Sequence, residues 1–387
     1  MSALAAHEPL RILVAHQVPA ARNGGMSRIM GFIHDRLVER GHHVDYYTAD
    51  DVPVRWRTAF GRRFAFPLLV SRAAIDAARA GNPYDIVNVH EPHALPLILQ
   101  RVRAGSPAVV VTSHGLERRA WQMAKDEARL GRGTLSARTR LTYPVSSLWP
   151  TDLGLRGADH VFCLNADDQH YLERRLGRRP DTVTRIFPAA DLVYWCQDRD
   201  YDGSTRMLFA AAWRENKGIA DLVPAFIRLA MRHPSLMLHV IGAGVPDTTV
   251  RAAFPAALAS RIVCETPARE ADTAAAFAGA HAFLLPSLFE GTPLTLMQAM
   301  MSGLPIVTTA TCGMKDVIQD GVSGLLVPIR SPDAIVEAVE RLLGDRSLRM
   351  CLGRGAQADA IARFTWARVA DPVEDVYARL RDGSLAR

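Results

Sequence analysis

Residues 284 to 309 read LLPSLFEGTPLTLMQAMMSGLPIVTT, and two polar side chains in that stretch could do chemistry, Glu290 and Gln298. Glu290 is a carboxylate at the point where an apolar strand ends, which is where ligands gather in an open parallel sheet. Gln298 lies four residues after Leu294 and three before Met301, on their helix face. A buried amide on such a face needs a hydrogen-bond partner. Between them, Gly291 belongs to the loop, Thr292 suits a helix cap and Pro293 suits the first helical position. The backbone N–H groups of this helix start, at Thr292 and Leu294, then carry a partial positive charge fit for a phosphate. A plain loop acid with a core amide bonded to backbone would look the same at this level.

Other candidates follow strands of the same kind. The chain has only three lysines, Lys125, Lys217 and Lys315, and otherwise uses arginine. Lys217 stands in Trp213-Arg214-Glu215-Asn216-Lys217-Gly218, directly after the apolar run from Met207 to Ala212. A compact ammonium there suits a diphosphate, and Arg214 offers a second cation. His90 and Glu91 follow a strand from Asp85 to Val89, and His114 follows one from Val109 to Thr112. Two strands ending in histidine bring both imidazoles to one sheet edge. Gly24 and Gly25, after a first strand from Leu10 to Ala15, let backbone approach a ligand closely.

The elements that position these residues alternate strand and helix through both halves. That alternation predicts an α/β protein of two doubly wound sheets facing across a cleft. We place one Rossmann-like domain at residues 1–190, a second at 191–363, and a C-terminal helix at 364–387. Predicted helices include one from about Ser27 to Arg40 and others near 332–343, 346–363 and 371–381, while 311–316 reads as a loop. No Gly-x-Gly-x-x-Gly fingerprint or Walker loop occurs.

With half its 387 residues hydrophobic, the chain is globular. Its five cysteines are scattered, which fits reduced cytoplasmic thiols and no zinc site. Neither a signal peptide nor a transmembrane run is expected. The net charge is +6, and the excess lies in residues 1–200, with 27 Lys+Arg against 21 Asp+Glu; residues 201–387 hold 19 of each. Such a half favours an anionic acceptor or peripheral contact with the inner membrane face. Nucleic acid has no recognition motif to support it. Residues 52–65 mix Trp56, Phe60 and Phe64 with arginines, as an interfacial patch or as packed aromatics beside solvated charges. The arginine-rich stretch 117–157 reads as surface helices lining an acceptor cleft, or as a solvated face.

The Glu-Gly pair at 290–291, the amide eight positions after Glu290, the following Ala-Met and the Gly-Leu-Pro at 303–305 resemble retaining glycosyltransferases of family 4. The resemblance implies the GT-B fold, with two Rossmann-like domains, and a nucleotide-sugar donor. It implies that Glu290 contacts the donor sugar and that position 298, usually Glu, contacts the ribose. It gives Lys217 and the Gly24-Gly25 loop to the diphosphate, His114 to the sugar's hydroxymethyl, and Ala268 and Arg269 to the surroundings of the base. His90 and Glu91 fall on the acceptor side. Ala211 and Ala212 depart from the usual Gly and Arg, and Gln298 from Glu. The reaction implied is retaining hexosyl transfer, UDP-sugar favoured, to a glycan, lipid or small-molecule hydroxyl, with no cofactor or metal required. A nucleotide-sugar epimerase, or a non-catalytic partner that binds a nucleotide sugar, is the alternative.

Overall fold

The computed structural model describes residues 8–18, 25–58, 61–100, 106–203 and 205–385. They form two compact units. The first draws on Met1–Trp121, Leu135–Phe187 and Trp366–Arg387; the second on Gln122–Thr134 and Pro188–Thr365. No described helix is long and apolar enough to cross a membrane.

The first unit holds strands β1 (Arg11–Ala15), β2 (His43–Tyr47), β3 (Ile86–His90), β4 (Ala108–Thr112), β5 (His160–Cys163) and β6 (Val183–Arg185). They lie in the order β2-β1-β3-β4-β5-β6, every pair parallel. The reason is composition. AVVVT in β4 and IVNVH in β3 are buried at all five positions, as β-branched runs covered on both faces should be. The edge strand β2, HVDYY, is more exposed. The second unit repeats the plan with β7 (Arg206–Ala210), β8 (Met237–Ile241), β9 (Ile262–Glu265), β10 (Ala282–Leu285), β11 (Ile306–Thr309) and β12 (Leu325–Val327), in the order β12-β11-β10-β7-β8-β9. Each sheet reverses its winding once, between β1 and β3 and between β7 and β10. The loops leaving such a pair diverge and open a crevice.

Two local expectations are corrected. Residues 312–317 are helical, Cys312–Val317, and the Gly313 N–H, a first-turn donor with no partner inside the helix, is satisfied by the Gly291 carbonyl at 2.9 Å. The helix Leu294–Met301 has Pro293, not Thr292, at its N-cap, without a side-chain cap.

The helix Trp366–Arg381 belongs to the first unit. Trp366 stacks on Phe32 at 4.6 Å. Glu374 takes Nε2 of His42 at 3.0 Å while the His42 Nδ1 accepts the Leu10 N–H at 3.0 Å, and Arg40 pairs with Glu374 as well. Deeper, the Asn88 amide donates to the Tyr377 hydroxyl at 2.6 Å and its oxygen accepts from Thr112 at 2.9 Å. Residues 122–134 are fastened to the second unit by charge. Glu127 and Asp221 are buried, Arg132 lies 3.0 Å from Glu127 and 2.8 Å from Asp221, and Arg330 lies 2.6 Å from Glu127. A buried acid without such partners would be costly.

Replacing Tyr377 by Phe leaves the buried Asn88 donor unpaired. We expect a loss of about 1–3 kcal/mol in the urea unfolding free energy, where a surface Tyr→Phe change would cost almost nothing.

Candidate active site

In the second unit the chemistry gathers at the reversal between β7 and β10. After β7 the chain makes a short turn, Glu215–Lys217, closed by Gly218 in the left-handed region at φ +72. A Cβ at Gly218 would fall 1.8 Å from the Pro286 carbonyl oxygen, so only glycine lets this turn lie against the β10 exit. The contact is reinforced by the Leu288 N–H, which donates to the Asn216 carbonyl at 2.8 Å. The result brings two predicted residues together: the Lys217 ammonium is ion-paired with the Glu290 carboxylate. Ser287 donates to the same Glu290 oxygen at 3.0 Å. Lysine has three donors, so this pair leaves others for a second anion. Gly291, Thr292 and Pro293 lead from Glu290 into the helix that begins at Leu294. Gln298 is buried, and its amide donates to the Tyr194 hydroxyl at 2.8 Å.

Other candidates are less engaged. Arg214 is exposed, at the start of the Lys217 turn. Ala268 is exposed, and Arg269 is bound to Asp272 at 2.8 Å, capping the helix Glu270–Gly279. Gly25 opens the helix Gly25–Glu39, and Gly24 lies outside the described residues.

In the first unit, histidines collect at the exits of β1, β3 and β4. His90 Nδ1 and His114 Nε2 are 3.0 Å apart. His16, which no motif singled out, brings its ring to 5.6 Å from that of His90. Its only signal was that it too ends an apolar strand. Burial, then the other histidines, hold His90 well below the ordinary histidine range; burial brings His114 down to about 4 and His93 to about 3, and lowers His16. The cluster is therefore uncharged at neutral pH and presents imidazoles suited to hydroxyl groups. Among the described residues no group of three or more His, Cys, Asp or Glu is arranged to hold a metal ion.

Glu91 turns the other way. Its Oε1 accepts the Glu117 N–H at 2.9 Å, while Oε2 is buried without a hydrogen-bond partner. Burial outweighs its hydrogen bonds and pushes the carboxyl up to about 8. Sequence reasoning also missed Ser287 and Tyr194, since a lone hydroxyl far along the chain carries no spacing signal.

The model of Glycosyltransferase Family 4 matches residues 23–194, and that of Glycosyl transferases group 1 matches residues 204–345. The chain belongs to the family 4 glycosyltransferases, and its two parallel six-stranded α/β units are those of the GT-B class. It is 27% identical to a D-inositol 3-phosphate glycosyltransferase of Frankia alni, over 79% of this chain and 76% of that protein. Other curated relatives are spanned over only about half of their length. Among solved structures it resembles a sucrose-phosphate synthase from Thermosynechococcus elongatus, with a TM-score of 0.78 at 19% identity, covering 97% of this chain and 100% of that one. Anabaena HepE, solved with UDP and glucose, gives 0.66 at 16% identity, covering 95% and 99%.

Two outcomes follow. The buried His90 Nε2 has no partner, and a buried orphan N–H is rarer than an orphan acceptor. His90 should therefore carry its proton on Nδ1 and donate it to His114 Nε2, leaving His114 with Nδ1–H. Nitrogen-15 imidazole spectra should show that tautomer at His114 and its loss in His90→Phe. For Glu91, the folded state keeps its proton to about pH 8 while the unfolded chain loses it near 4.5. Between those values the native state binds more protons, so stability falls as pH rises. The melting temperature of the wild type relative to Glu91→Gln should decline across that window.

Proposed function

We infer that the chain transfers a sugar from a nucleoside diphosphate donor, UDP-sugar favoured, to an acceptor hydroxyl on a glycan, glycolipid or natural product. The observation that supports this most is the juxtaposition of Lys217 and Glu290 at the winding reversal of the second sheet, beside the N-terminus of Leu294–Met301. As the diphosphate leaves, charge builds on its oxygens and the sugar becomes cationic. Lys217 and the backbone N–H groups at the helix start would stabilise the leaving group. Glu290 would orient the sugar hydroxyls and Gln298 the ribose. The neutral His114 would bind a further hydroxyl, with His90 behind it. In this reading the acceptor attacks from the leaving-group face and the configuration is retained, with no metal needed and the protein working in the cytoplasm. HepE, bound to UDP and glucose, favours uridine as the base.

A second reading, a non-catalytic protein that binds nucleotide sugars, draws on Gln298, whose amide is already held by Tyr194. One experiment separates the two. Thermal unfolding is followed with UDP, GDP, dTDP, ADP and their common sugar conjugates, with Lys217→Ala in parallel. Saturating ligand at about 100 times its Kd adds about 2.7 kcal/mol, a rise of a few degrees. We expect this with the uridine compounds, and its loss in Lys217→Ala. A shift without any hydrolysis or transfer of the sugar would favour the binding protein. No shift with any nucleotide would sink both.

A further inference from the structure

In the first unit, Ala137–Tyr143, Pro144–Leu148 and Trp149–Gly157 form one unbroken helical run, with a single wider π turn in its middle. Its inner face is already packed: Ser147, Leu148, Thr151, Gly154 and Leu155 are buried. The outer face should then be polar. Instead, Leu141, Val145, Trp149 and Leu153 follow one another every fourth residue and are 77%, 57%, 58% and 51% exposed. In a pure α-helix that spacing drifts round the axis, and the wider turn offsets part of the drift. The four side chains therefore make an apolar ridge along the surface.

The ridge is flanked by positive charge. Arg138, Arg140 and Arg156 on the same run are exposed, and its one acid, Asp152, is bound to Arg118. Arg63 donates to Ser146 at 3.0 Å and lies 5.3 Å from the Tyr143 ring, which brings the turn Gly61–Ala65 and the exposed Phe64 alongside. Beside Trp149 and Leu153 a groove of about 520 Å³ opens, lined also by Arg156, Arg175, Tyr171, Leu176 and the Arg118–Asp152 pair, whose acid is thereby neutralised. Among the described residues no carboxylate pairs with Arg156 or Arg175.

We propose that this face docks on an anionic membrane surface, the ridge lying among the headgroups and acyl ends and the groove taking a lipid phosphate. Exposed aliphatics and a tryptophan on a surface-lying helix, rimmed by unpaired arginines, match both the apolar and the charged parts of such an interface. A protein partner would also cover apolar side chains, but it would not by itself call for several unpaired cations round them. The inference does not rest on the transfer chemistry, and its test reads binding alone.

The full chain is sedimented with vesicles of phosphatidylcholine, and with vesicles of phosphatidylcholine and phosphatidylglycerol in equal parts, at low and high salt. We expect binding to the anionic vesicles only, weakened by salt. It should fall roughly tenfold or more in Trp149→Ser/Leu153→Ser and again in Arg156→Glu/Arg175→Glu. All four substituted positions are exposed, and circular dichroism and size exclusion check that each variant is folded. Binding that survives both pairs of substitutions, or no binding to anionic vesicles, overturns the proposal. A wild-type dimer that the Trp149 and Leu153 changes dissociate, with no vesicle binding, would give the face to a second copy of the chain instead.

Discussion

Parallel pairing is the constraint on which the rest depends. A strand that must lie parallel to its predecessor can only be reached by a crossover, so every strand in a sheet ends at the same edge. Twelve strands obey this in two sheets of six. Each sheet winds outward one way and then returns to the other side of its first strand, so two loops part company at one place. His16 and His90 stand at that place in the first unit, and Lys217 and Glu290 in the second. Residues far apart in sequence become neighbours because the backbone leaves them no other edge to occupy.

The two edges have opposite electrostatic characters. In the first, burial removes charge: the imidazoles crowd one another, and Glu91 keeps its proton. In the second, the side chains are paired, Lys217 against Glu290, with the Ser287 hydroxyl on the same oxygen. A neutral set of donors and acceptors is suited to sugar hydroxyls. An ammonium beside a helix start is suited to phosphate.

Much of this was legible in the sequence where the signal is local. Uninterrupted apolar runs such as VVV at 109–111 mark doubly covered strands, and the strand limits were right to within about two residues. Lys217 stood out because the chain hardly uses lysine. What was not legible depends on distance. Asn88 and Tyr377 are 289 residues apart, and Gln298 and Tyr194 104 apart, so neither hydrogen bond leaves a pattern in spacing. The cap at Thr292 failed for another reason. Gly291 and Thr292 are held by the helix Cys312–Val317, where a Cβ at Gly313 would fall 2.1 Å from the Thr292 hydroxyl oxygen. Tertiary packing fixed the loop before local capping preference could act.

The same distance effect gives a reason for the amide at position 298. The side chain is buried, where an ionised carboxylate would need a strong counter-charge. A neutral amide meets the Tyr194 hydroxyl without one. It also reverses the hydrogen bond. A carboxylate could only accept the tyrosine proton, whereas the Gln298 amide donates and makes the tyrosine oxygen the acceptor. Tyr194 is fixed further by the Phe277 ring, edge-on at 5.4 Å. An exchange that looks like the loss of a charge is therefore also a change in the direction of a hydrogen bond, and it ties the turn Leu192–Tyr194 to the helix Leu294–Met301.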